Sequence, residues 1–150
     1  MGSLSARVGP RPYVDTNVFI YALEAHPAYV ETVRRFFAAA DQGACRVLAS
    51  ELVLAEALVT PLRIGNLELV DRYLRHLLRS RSVELLPIGR EILIDAARQR
   101  AVHAVRLPDA IHAATAIRSA CTSFITNDLR LRTVPGLQVV TLEELGREPD

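Results

Sequence analysis

Apolar positions along the chain fall into two alternating rhythms, short unbroken runs and longer stretches with helical spacing. The short runs at 13–15, 46–49, 83–87, 123–126 and 138–141 predict strands. Between them, helical periodicity predicts helices at 18–24, 28–42, 51–58, 67–79, 90–105 and 110–120. Strands separated by helices of this length argue for parallel βα units joined by right-handed crossovers. The predicted fold class is therefore α/β, a single domain whose five-stranded, mostly parallel sheet is flanked by helices. Residues 1–12 read as a flexible N-terminal tail, 13–145 as the folded domain and 146–150 as a short C-terminal tail.

Composition changes this picture only at the margins. Half of the 150 residues are apolar, enough for one substantial core. No apolar run approaches the ~20 residues of a membrane-spanning helix, and the start of the chain lacks an apolar signal stretch. The expectation is a cytoplasmic protein with no membrane partner. Cys45 and Cys121 stand far apart without a CxxC pair, so zinc is disfavoured and two reduced core thiols are expected. Net charge is only +1, which argues against broad, salt-driven nucleic-acid binding. All 18 basic residues are arginines.

Four acidic residues sit where this architecture collects chemistry, beyond the carboxyl ends of the strands. Asp15 ends the first predicted strand in YVDTNVFIYAL, where it or Asn17 can cap the next helix. Glu56, in ASELVLAEALV, shares a helical face with Leu52, Val53 and Val59, and a carboxylate on a core-facing stripe is costly unless compensated. Ser50 and Glu51 in that segment are explained by capping and by the helix dipole. Asp109, in LPDAIHAATA, is expected at the N-cap or in the first turn of a helix. Asp128, in FITNDLRL, suits a turn. His112 is read as a packed or surface histidine without a role. Each acid has an ordinary structural explanation, but convergence of all four would be costly. Two like charges ~4 Å apart cost about 4 kcal/mol at an effective dielectric near 20. Such a cluster takes up protons or a hard divalent cation, Mg²⁺ or Mn²⁺.

These four segments, in this order and at these intervals, resemble the PIN domains, and in particular the VapC toxins of bacterial toxin–antitoxin pairs. The resemblance runs from Tyr13 to about Leu142. It implies a three-layer α/β fold and a Mg²⁺- or Mn²⁺-dependent endoribonuclease whose acidic quartet is Asp15, Glu56, Asp109 and Asp128. Asp15 and Asp109 are the first choices for contact with the ion, and Asn17, Thr126 and Ser50 are the supporting polar positions. The resemblance further implies a structured RNA substrate such as a tRNA or rRNA loop, products with a 5′-phosphate and a 3′-hydroxyl, a VapB-type antitoxin and a homodimer. Part of the apolar surface of the helix at 28–42, with Val30, Val33, Phe36 and Phe37, is expected to bind the antitoxin or to pack on the sheet. Arg106, Arg130 and Arg132 are candidates for phosphate contact.

Two other enzyme classes fit less well. Haloacid-dehalogenase-type phosphatases also begin with a strand-end aspartate, but they and the receiver domains rely on a lysine that this chain lacks. The P-loop pattern GxxxxGK[ST] is absent. The alternative from another class is a non-catalytic PIN-like module that binds RNA or protein, which would be expected to have lost one or more of the four acids.

Overall fold

A computed structural model describes residues 7–147. Five parallel strands form one sheet: β1 (Pro12–Val14), β2 (Val47–Ser50), β3 (Val83–Leu86), β4 (Ser123–Ile125) and β5 (Val139–Val140). Their order is β3-β2-β1-β4-β5, so the first strand made lies at the centre, with Tyr13 opposite Leu48 on one side and Val14 opposite Ile125 on the other. The helices are α1 (Thr16–Leu23), α2 (Val30–Asp41), α3 (Leu52–Arg63), α4 (Leu67–Leu74), α5 (Arg90–Val102), α6 (Leu107–Arg118) and α7 (Leu142–Gly146). A π-helical turn, Arg75–Arg79, continues α4, and a 3₁₀ turn, Leu129–Thr133, follows β4. No helix among the described residues is long and apolar enough to cross a membrane.

Alternation along the buried strands divides the core into two layers. Val14, Val47, Ala49, Ile125 and Val140 pack against α1, α2, α3, α4 and α7. Tyr13, Leu48 and Phe124 face the other way, onto Ala113 and Ala116 of α6. Behind α6, Ala110, Ile111 and Ala114 meet Ile92 and Ala96 of α5. α6 is thus covered on two sides, and its run of alanines lets the sheet and α5 both approach closely. That close seating fixes where Asp109 and His112 lie.

Several boundaries differ from the sequence expectation. α1 begins at Thr16 rather than 18, because Asp15 is its N-cap and accepts the Thr16 N–H at 2.8 Å. α3 runs past 58 to Arg63 through Pro61. It buries Val53, Ala57 and Pro61, so its inner face is turned away from Val59, which is exposed rather than on the core stripe. Val33, Phe36 and Phe37 of α2 are core residues, the packing alternative for this helix, while Val30 is half-buried. α7 was not anticipated. Thr141 and Glu144 form a capping box that starts it, and Leu142 and Leu145 anchor it in the core.

Residues 1–6 and 148–150 of the two expected tails lie outside the described residues. Upstream of β1, Val8 is buried, and its carbonyl accepts hydrogen bonds from Thr122 Oγ1 and Ser123 Oγ, both at 2.7 Å. Packing therefore extends further towards the N-terminus than the expected boundary at 12. Both cysteines are free.

Candidate functional site

The carboxyl ends of β1, β2 and β4 deliver Asp15, Ser50 and Thr126 to one edge of the sheet, and α3 and α6 bring side chains over it. Asp15 is the centre of this edge. It is almost fully buried, with Oδ1 accepting the Thr16 N–H at 2.8 Å and Oδ2 accepting the Thr126 hydroxyl at 2.8 Å. Burial pushes its pKa above the usual carboxylate range, and the charge of Asp109 adds to this against the lowering influence of His112, Thr126 and Thr16.

Glu56 reaches the same place from α3. Its Oε1 accepts the Thr16 hydroxyl at 2.8 Å and lies 2.6 Å from His112 Nε2. Burial works against its ionisation. Hydrogen bonds from His112 and Thr16, with the field of Arg106, outweigh burial and hold its pKa below the usual value. This is the compensation that a carboxylate on α3 required.

Asp109 lies in the first turn of α6, where Arg106 Nε approaches its Oδ2 at 3.2 Å. Asp128 caps the 3₁₀ turn by accepting the Arg130 N–H at 3.0 Å, and the Arg130 guanidinium grips both of its oxygens. That grip holds its pKa below the usual range. Thr126 ties Asp128 to Asp15, since its oxygen accepts the Asp128 N–H at 3.0 Å while its hydrogen goes to Asp15. Arg106 bears electrostatically on both Glu56 and Asp128, and Asp109 on both Asp15 and Arg130. The four acids thus belong to one electrostatic neighbourhood.

The supporting positions divide. Thr126 is buried and engaged, as described. Ser50 Oγ accepts the Leu52 N–H at 3.1 Å, just ahead of α3, and forms no hydrogen bond to a carboxylate among the described residues. Asn17 is exposed on α1, and its side chain makes no hydrogen bond among the described residues. His112 is packed, one of the two places allowed for it, but its contacts with the acids were not expected. It is buried, with Nδ1 2.5 Å from the Tyr13 hydroxyl, Nε2 2.6 Å from Glu56 Oε1, and Nε2 3.8 Å from Asp15 Oδ1. Its spacing from Asp109, one helical turn, was the available signal.

The donor set consists of carboxylate and hydroxyl oxygens, which suit a hard divalent cation. Arginines pair with Asp109 and Asp128, whereas Asp15 and Glu56 make no ion pair with arginine among the described residues, leaving negative charge for a cation to offset. Among the described residues, no three His, Cys, Asp or Glu side chains are arranged so as to hold a metal ion.

A PIN-domain profile matches residues 13–137. The chain belongs to the PIN-domain family. PIN domains are typically metal-dependent nucleases, generally with a divalent ion. Among solved structures, this PIN domain is similar to VapC20 of Mycobacterium tuberculosis, a sarcin-ricin loop cleaving toxin, at 17% identity and a TM-score of 0.67, covering 85% of this chain and 98% of that one. It is similar to a toxin–antitoxin complex from Klebsiella pneumoniae at 21% identity and a TM-score of 0.66, covering 87% and 97%. It is also similar to DNA-bound VapBC of Salmonella typhimurium at 21% identity and a TM-score of 0.63, covering 89% and 98%. No curated protein matches the chain. At these identities the likeness extends to the PIN fold that the VapC toxins share.

Proposed function

We propose that this PIN domain is a metal-dependent endoribonuclease and the toxin of a toxin–antitoxin pair. The observation that carries the reading is the buried Asp15 carboxylate at the end of the central strand, tied through Thr126 to Asp128 and flanked by Glu56, with Asp109 close enough to raise its pKa. Asp15 and Asp109 would hold Mg²⁺ or Mn²⁺, with Glu56 and Asp128 beside them. The chemistry that a bound ion supplies is a water of lowered pKa and compensation of charge on the phosphate. Asp128 or Glu56 orients or deprotonates the attacking water. Arg106 and Arg130 at the rim release Asp109 and Asp128 and turn to the phosphates of the RNA backbone, for which a guanidinium is well matched.

The near-neutral charge favours a structured RNA, such as a tRNA or an rRNA loop, over indiscriminate binding. Similarity to structures of toxin–antitoxin complexes supports a VapB-type antitoxin as the partner, and a homodimer is proposed for the toxin. The test compares wild type with Asp15→Ala and Asp15→Asn on total cellular RNA in Mn²⁺, Mg²⁺ and EDTA. Discrete metal-dependent fragments that disappear in both variants support the reading, and end-sequencing identifies the target. Absence of cleavage by a folded wild type that also binds no Mn²⁺ favours the non-catalytic module instead.

A further inference from the structure

The chain of hydrogen bonds through His112 has a direction that packing alone does not require. The Tyr13 oxygen accepts the backbone N–H of Ser50 at 3.1 Å, so its own hydrogen must be donated elsewhere. Among the described residues the acceptor at hand is His112 Nδ1, at 2.5 Å. Nδ1 is then unprotonated and the ring proton sits on Nε2, which faces Glu56 Oε1 at 2.6 Å and Thr16 Oγ1 at 3.2 Å. Thr16 in turn donates its hydroxyl hydrogen to the same oxygen, Glu56 Oε1. Both bonds to Glu56 fall on Oε1, and Oε2 makes none among the described residues. Tyr13 is held in place by stacking on Phe124, with ring centroids 5.0 Å apart, so the relay begins on the rigid sheet and ends on a half-exposed side chain.

We propose that His112 is a positioning residue: fixed in its Nε2–H form by Tyr13, it pins Glu56 by one oxygen and leaves the other, Oε2, to face the cation. The role rests on the nuclease reading above, because it presumes an ion beside Glu56. It differs from that reading in assigning work to two residues, Tyr13 and His112, that touch neither ion nor RNA.

Histidine ¹⁵N NMR of the metal-free protein reads the tautomer directly. The expected result is a protonated Nε2 and an acceptor Nδ1 at His112, with the Nδ1 resonance shifting in Tyr13→Phe as its donor is removed. A proton on Nδ1 in the wild type overturns the relay. Calorimetry with Mn²⁺ reads the consequence. Loss of an outer hydrogen bond that orients a metal-binding group typically costs on the order of 10- to 100-fold in affinity, which is the loss expected for His112→Leu. His112→Gln keeps an N–H directed at Glu56 and recovers most of it. Wild-type affinity in His112→Leu, or no recovery in a folded His112→Gln, overturns the positioning role while the nuclease reading stands. A wild-type chain that binds no Mn²⁺ overturns both, whatever the tautomer.

Discussion

Thr126 donates its hydroxyl hydrogen to Asp15 Oδ2 across 2.8 Å, joining the ends of the two strands at the centre of the sheet. The Thr126 hydroxyl oxygen itself accepts the Asp128 N–H, so one small side chain sets the distance between a buried acid and a rim acid.

Thr126→Val keeps the shape and removes this bond. It leaves a buried carboxylate oxygen without its donor and should destabilise the fold by about 1–3 kcal/mol. RNA cleavage should fall roughly 10- to 100-fold. Urea unfolding and a cleavage assay check both, and Thr126→Ser should restore most of each.

Arg130 holds both oxygens of Asp128. If, as proposed, Asp128 stands beside a cation and Arg130 meets RNA phosphate, Arg130→Gln should bind Mn²⁺ more tightly while KM for RNA rises. Because the pair is exposed, stability should change little. Calorimetry and initial rates separate these effects. Weaker Mn²⁺ binding with an unchanged KM would count against the assigned role.

Away from the site, His76 sits edge-on to Phe37, with ring centroids 4.8 Å apart, and its buried Nε2 has no hydrogen-bond partner among the described residues. Burial lowers its pKa, against the opposing charge of Asp41. An unfolded histidine takes up a proton near pH 6.5. The folded one resists protonation until a lower pH, so between the two values the unfolded state holds more protons. Stability should be greatest above about pH 6.5 and fall as pH drops through that window. His76→Leu should flatten this fall, as read from urea midpoints at neutral and mildly acidic pH.

Gly9 has φ +71°, and a Cβ there would lie 2.6 Å from Thr122 Oγ1. Gly9→Ala adds left-handed strain to overpacking, and roughly 2–4 kcal/mol of destabilisation is expected. A thermal melt checks it. An unchanged midpoint would mean that the Val8 anchor contributes little.

The strands and most of the helices were legible because buried parallel strands and amphipathic helices write their periods into adjacent residues. Asp15, Asp109 and Asp128 stood out by their places at strand ends and a helix start, and Glu56 as a carboxylate on the apolar stripe of a helix. His112 did not, since its partners Glu56 and Tyr13 lie 56 and 99 residues away and no local pattern joins them. The turn of α3 that exposes Val59 was hidden for the same reason, because helical spacing groups residues into faces without saying which face meets the core. α7 was missed despite a readable signal, the Thr141–Glu144 box, because a helix of five residues has little periodicity of its own.

The central place of β1 has a consequence in time. Its neighbour β4 lies more than a hundred residues downstream, with Thr126 111 residues from the Asp15 carboxylate it holds. Pairing across such a distance carries a loop-closure cost that local helices do not. A chain still on the ribosome can fold α1 and α2 early, yet it carries Asp15 at an open sheet edge without Thr126 or Asp128. The four acids can meet only after Asp128 has been made, so every shorter nascent chain carries the quartet unassembled.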